Sequence, residues 1–131
     1  MLDHTPSTRA RDKYPYLGDK RILVVEDDAV IAADYHFLLR EVGAEPLAYK
    51  STSRAALDYL ATHEIDAVIM DYRLRDGTSE PIIKCLTQRA IPFVIVTGYA
   101  FELHASLNSS RVLSKPVTPA DIWSALSDIL H

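Results

Sequence analysis

Three short, nearly continuous apolar runs, each ending abruptly in polar residues, constrain this chain more than anything else in it. Arg21-Ile22-Leu23-Val24-Val25 runs into Glu26-Asp27-Asp28, Ile65-Asp66-Ala67-Val68-Ile69-Met70 runs into Asp71, and Phe93-Val94-Ile95-Val96 runs into Thr97-Gly98. Runs of this length without alternation mark parallel strands buried on both faces, and the polar residues after them fall at the strands' carboxyl ends. Open α/β sheets bind ligands at that edge. Three strands thus converge on one acidic edge, with Asp71 at its centre.

The intervening segments read as helices. Ile31, Tyr35, Leu38 and Val42 recur at helical spacing after an acidic start and stop at Gly43, which predicts a helix over 29–42. A weaker strand over 45–49 precedes Thr52-Ser53, where either hydroxyl can cap a helix carrying Ala56, Leu57 and Leu60. The central strand covers 65–70. Beyond the Asp76-Gly77 turn signal, Ser79 and Pro81 open a third helix with Ile82, Ile83 and Leu86 facing inward. Residues 101–107 hold about two turns of helix, and 111–114 read as a short last strand. Thr118-Pro119-Ala120-Asp121 then opens the final helix, with Ile122, Leu126 and Ile129 as its buried stripe. Alternation of this kind implies a parallel sheet with helices on both faces, joined by right-handed crossovers.

Residues 1–19 carry turn formers and mixed charges without a period and read as an N-terminal arm, in which Tyr14, Pro15, Tyr16 and Leu17 can dock locally. Residues 20–131 form one domain, since 131 residues, 48% of them hydrophobic, sustain a single core.

Charge and composition exclude several function classes. With 14 Lys+Arg against 18 Asp+Glu the formal net charge is −4, against a general nucleic-acid binder, which needs a basic face. No apolar run approaches the roughly 18 residues of a membrane span. The single cysteine, Cys85, has no internal partner and residues 1–20 hold no signal-peptide core, so a reducing cytoplasm is the expected location. The five histidines are scattered without metal-ligand spacing.

At the acidic edge, two carboxylates about 5 Å apart repel by roughly 3 kcal/mol at an effective dielectric near 20. Glu26, Asp27 and Asp71 together therefore call for a cation. Hard oxygen ligands with room for water and phosphate oxygens suit magnesium. A carboxylate beside magnesium can attack a phosphoryl group when a nearby ammonium helps neutralise the transferring oxygens. Lys115, after the last strand, is the candidate ammonium, and Thr97 offers a hydroxyl. Each signal alone is commonplace: an acid before a helix is often an N-cap, Asp-Gly is usually a turn and Lys-Pro a surface loop. Their weight comes from following different strands to one edge.

Val25-Glu26-Asp27-Asp28, the apolar run into Asp71 with Asp76-Gly77 beyond it, Thr97-Gly98 and Lys115-Pro116 together resemble the receiver domain of two-component response regulators, over residues 21–130. The 44-residue separation of Asp27 and Asp71 is similar to that family's. The resemblance implies a flavodoxin-like five-stranded parallel sheet of order 2-1-3-4-5. It also implies that Asp71 accepts a phosphoryl group from a histidine kinase or a histidine phosphotransfer protein. Glu26, Asp27, Asp71 and the main-chain carbonyl of Arg73 would hold magnesium, Thr97 would bond a phosphoryl oxygen, Lys115 would pair with the phosphoryl group, and Asp28 would start a helix. The Lys115-Pro116 bond would be cis.

Two departures narrow the resemblance. Most receivers carry Tyr or Phe three residues before the lysine, where this chain has Val112, so the usual Thr-aromatic switch cannot operate as such. Pro92-Phe93 through Val96-Thr97-Gly98-Tyr99 instead looks like a subgroup of mostly single-domain alphaproteobacterial regulators with a Thr-Gly-Tyr type motif, similar to receivers served by HWE-type kinases. That subgroup's Phe-Ala pair is replaced here by Ile95-Val96. Arg73, two residues past the acceptor, is placed near the phosphoryl site, where it would tune phosphoryl lifetime; Arg75 stands where a proline is common and is expected to be exposed.

The expected function is a stand-alone module that signals by protein–protein interaction when phosphorylated, or acts as a phosphoryl shuttle or sink. The fourth helix, last strand and last helix would be its reading surface, and no sequence remains after the last helix for an output domain. Its chemistry would be limited to self-phosphorylation and autodephosphorylation. The alternative is a magnesium-dependent phosphohydrolase with an aspartyl-phosphate intermediate, but Arg73 stands where its second acid belongs. A nucleotide-binding reading fails for want of a glycine-rich loop after the first strand.

Overall fold

The apolar runs become the middle of one sheet. The structure, a computed structural model, describes residues 17–98 and 112–130. Strands β1 (Arg21–Val25), β3 (Ala67–Asp71) and β6 (Phe93–Thr97) lie side by side, flanked by the short β2 (Glu45–Pro46) and β7 (Val112–Ser114). All pair in parallel, in the order β2-β1-β3-β6-β7. Counted along the chain, these five give the flavodoxin-like order 2-1-3-4-5 expected from the sequence.

Among the described residues four helices cover the sheet: α1 (Ala29–Glu41), α2 (Ser53–Thr62), α3 (Glu80–Gln88) and α4 (Pro119–Leu130). Successive strand residues point to opposite faces, so each central strand supplies two apolar layers. Ile22, Val24, Ile69, Val94 and Val96 pack with Ala32, Tyr35 and Leu39 of α1 and with Ile122 and Leu126 of α4. Leu23, Val25, Val68, Met70, Phe93 and Ile95 pack with Ala56 and Leu60 of α2 and with Ile82 and Leu86 of α3. The expected helical connection at 101–107 and the arm over 1–16 lie outside the described residues. Among those described, no helix is long and apolar enough to cross a membrane.

Local chemistry sets most boundaries. Asp28 caps α1, accepting from the amides of Val30 and Ile31 at 2.9 and 3.2 Å. Thr52 caps α2 through the amide of Ala55 at 3.0 Å. Thr118 and Asp121 exchange side-chain-to-amide bonds of 3.1 and 3.0 Å at the start of α4, a reciprocal capping box.

The structure departs from the sequence expectations in several places. The central strand starts at Ala67 rather than 65 and includes Asp71, which pairs with Val96. The second strand keeps only two regular residues, although the amide of Leu47 still bonds the carbonyl of Ile22 at 2.9 Å and a lone bridge joins Val25 and Lys50. The buried stripe of α1 is Ala32, Tyr35 and Leu39, one residue on from the expected Ile31 and Leu38, which are only partly buried. By contrast, Leu17 docks as the sequence allowed: it is buried and its amide bonds the carbonyl of Val42 at 3.0 Å, while the amide of Asp19 bonds the carbonyl of Gly43 at 3.1 Å. Finally, the Asp76-Gly77 turn closes an antiparallel hairpin, β4 (Arg73–Leu74) with β5 (Gly77–Thr78), Gly77 supplying a φ of +129°.

Candidate functional site

Parallel register delivers the polar residues to one edge. Val25 pairs with Met70 and Asp71 with Val96, so Glu26, Asp71 and Thr97 leave three adjacent strands at nearly the same level. One carboxylate oxygen each from Glu26, Asp27 and Asp71 lie within 4.8 Å of one another. Lys115 follows β7, where its amide bonds the carbonyl of Thr97 at 3.0 Å, and the Lys115-Pro116 peptide is cis, as expected. Its ammonium reaches Asp71 Oδ2 at 2.8 Å and stands 3.9 Å from Glu26 Oε1.

Burial and charge act together here. Glu26 is 1% exposed, Thr97 is buried and Asp71 is 9% exposed. Burial first, then the charge of Asp71 and the readiness of Asp27 to accept the Glu26 proton, push the Glu26 carboxyl up to about 7, against the amide of Asp28 and the charge of Lys115. Burial alone would lower Lys115, but its bond to Asp71 and the charges of Asp71, Glu26 and Asp27 outweigh it and raise it. The site therefore holds an ammonium among acids that do not all carry their charge comfortably.

A hard divalent cation fits this donor set. Glu26 Oε1 is buried without a hydrogen-bond partner, a lone-pair donor facing two further carboxylates. Oxygen-only ligands with a partly exposed mouth match magnesium better than a soft metal. Glu26, Asp27 and Asp71 are the side chains able to hold it. Arg73, expected to contribute its carbonyl, lies two residues beyond Asp71, and its amide bonds Asp71 Oδ1 at 3.4 Å.

All the sequence-nominated side chains thus lie at one sheet edge, and Asp28 is the helix cap expected of it. Val112 is buried in the apolar layer beside α2 and α3. Tyr99 lies outside the described residues. Sequence reading missed two residues. Arg75 is exposed, as expected, but its guanidinium donates to the carbonyl of Asp27 at 3.4 Å, linking the loops after β1 and β3. Asp76 accepts from the amides of Ser53 and Arg54 at the start of α2, at 2.9 and 3.1 Å. These bonds hold its carboxyl below the usual range. No local signal announces either contact, because the partners are remote in sequence.

Comparison with known proteins agrees with this geometry. The response regulator receiver domain family matches residues 22–127. The transcriptional regulatory protein PdtaR of Mycobacterium tuberculosis is 28% identical over 127 residues, covering 92% of this chain and 60% of the relative, so the chain spans less than two thirds of that protein's length. The receiver domain of the PhyR response regulator of Erythrobacter litoralis shares the fold with a TM-score of 0.78 at 23% identity, over 87% of this chain and 92% of that one. PhyR from Brucella abortus gives the same TM-score and identity, over 94% of this chain and 52% of that one. A CheY-like receiver domain from Methylobacillus flagellatus is 27% identical, with a TM-score of 0.68 over 84% of this chain and 98% of that one.

Proposed function

The chain belongs to the response regulator receiver domain family, and from that premise we propose that Asp71 accepts a phosphoryl group from the phosphohistidine of a sensor histidine kinase, of HWE type, or of a histidine phosphotransfer protein. An Asp71 oxygen forms the new bond to phosphorus as the phosphorus–nitrogen bond breaks, and that bond's electron pair returns to the donor imidazole. Glu26, Asp27, Asp71 and the carbonyl of Arg73 would hold magnesium. When bound, magnesium supplies positive charge beside the phosphoryl oxygens. Lys115, 2.8 Å from Asp71 Oδ2, supplies a second cation, and the Thr97 hydroxyl donates to a phosphoryl oxygen.

Phosphorylation gives Lys115 and Thr97 a new acceptor, and that difference in contacts shifts the population between two conformations. With valine at position 112, no aromatic side chain there reports the shift. The module acts in the cytoplasm, either binding a downstream protein when phosphorylated or passing the phosphoryl group on as a shuttle or sink. Its own chemistry is limited to phosphorylation and autodephosphorylation.

The observation that carries this reading is the 2.8 Å contact between Lys115 and Asp71 beside two further acids. Incubation with a small phosphodonor and magnesium, followed by mass spectrometry, tests it. Wild type should gain about one phosphoryl group with its added negative charge. Asp71→Asn should gain none; equal gain in the mutant would refute the assignment.

A further inference from the structure

The β4–β5 hairpin carries Arg73, yet it has only two residues in each strand. An isolated hairpin of that size has little stability of its own. What holds it lies mostly on α2. The Asp76 carboxylate takes both oxygens to the first turn of α2, through the amides of Ser53 and Arg54. In return, the Ser53 hydroxyl donates to the carbonyl of Thr78 at 2.9 Å, on the strand paired with Arg73. Leu74 is buried in the apolar layer that holds Ala56 and Leu60 of α2, and the amide of Ser79 bonds the carbonyl of Tyr72 at 2.7 Å to close the base.

We propose that Asp76 is a positioning residue of the metal site: strapped to α2, it fixes the hairpin and so the place at which the Arg73 carbonyl is presented. This rests on the reading of Arg73 as a magnesium ligand. Groups that orient a ligand without touching the metal change affinity by about 10- to 100-fold when removed. The strap belongs at the lower end, because Asp76 is exposed and Leu74 anchors the hairpin independently.

Magnesium titration calorimetry on the full chain tests this with Asp76→Ala, Asp76→Asn and Thr52→Ala. Asp76→Ala should weaken magnesium binding by about tenfold. Asp76→Asn keeps one acceptor oxygen but not the charge, and should recover part of the loss. Thr52→Ala removes the cap of the same helix without touching the hairpin and should bind as wild type does. The strap is refuted if Asp76→Ala binds normally, if Asp76→Asn is as weak as Asp76→Ala, or if Thr52→Ala loses as much. Wild type that takes up no magnesium would overturn the metal reading itself, a result distinct from the other three.

Discussion

Glu26 ends β1 almost wholly buried, with its carboxyl pushed up to about 7 chiefly by that burial. A carboxyl raised in the folded state binds its proton more tightly there than in the unfolded chain. Its contribution to stability is therefore fully present below the ordinary value of 4.5 and is lost as pH rises through about 7. His36, lowered by burial and by Arg40, works in the opposite sense nearby, so the informative quantity is a difference. Between pH 5 and 8, metal-free wild type should lose stability relative to Glu26→Gln, measured by urea denaturation at each pH. Saturating magnesium should remove that difference in slope, because the ion selects the carboxylate. Glu26, Asp27, Asp71, Thr97 and Lys115 were legible because residue chemistry changes abruptly where an apolar run ends. Asp76 and Arg75 were not, because their partners, 23 and 48 residues away, are neighbours only after the chain folds.

Helix starts show which local signals the fold uses. The Thr118–Asp121 box satisfies two otherwise unpaired donors of α4. Thr118→Ala should cost about 1 kcal/mol in chemical denaturation. Ser79, in the same position before α3, makes no side-chain cap bond, and its buried hydroxyl has no partner among the described residues. Ser79→Ala should therefore be near neutral or slightly stabilising in the same assay. Cap chemistry was readable at Asp28, Thr52 and Thr118, and the type and order of the main elements followed from period and punctuation. Of the expected α1 stripe Tyr35 and Val42 are buried, but Ala32 and Leu39 stand in for Ile31 and Leu38, in part because Ala32, buried against the sheet, carries a weaker apolar signal than Ile31 beside it. The β4–β5 hairpin escaped because two-residue strands have no period to read.

The five parallel strands and their two helical layers make the acidic edge a property of the whole molecule. Residues 26, 27, 71 and 115 come together only when β1, β3 and β7 take their places, so an ion bound there binds the folded chain alone. Magnesium at a hundred times its dissociation constant should add about 2.7 kcal/mol to stability. Thermal melts should accordingly shift upward with magnesium for wild type and much less for Asp27→Asn. An unchanged shift in that variant would place the ion elsewhere. The same topology leaves β2 at one margin of the sheet, two residues long and ending in proline. A foreign strand seeking to zip onto that side meets a ladder with almost no free rungs. Concentrated solutions are thereby protected from stacking through this margin.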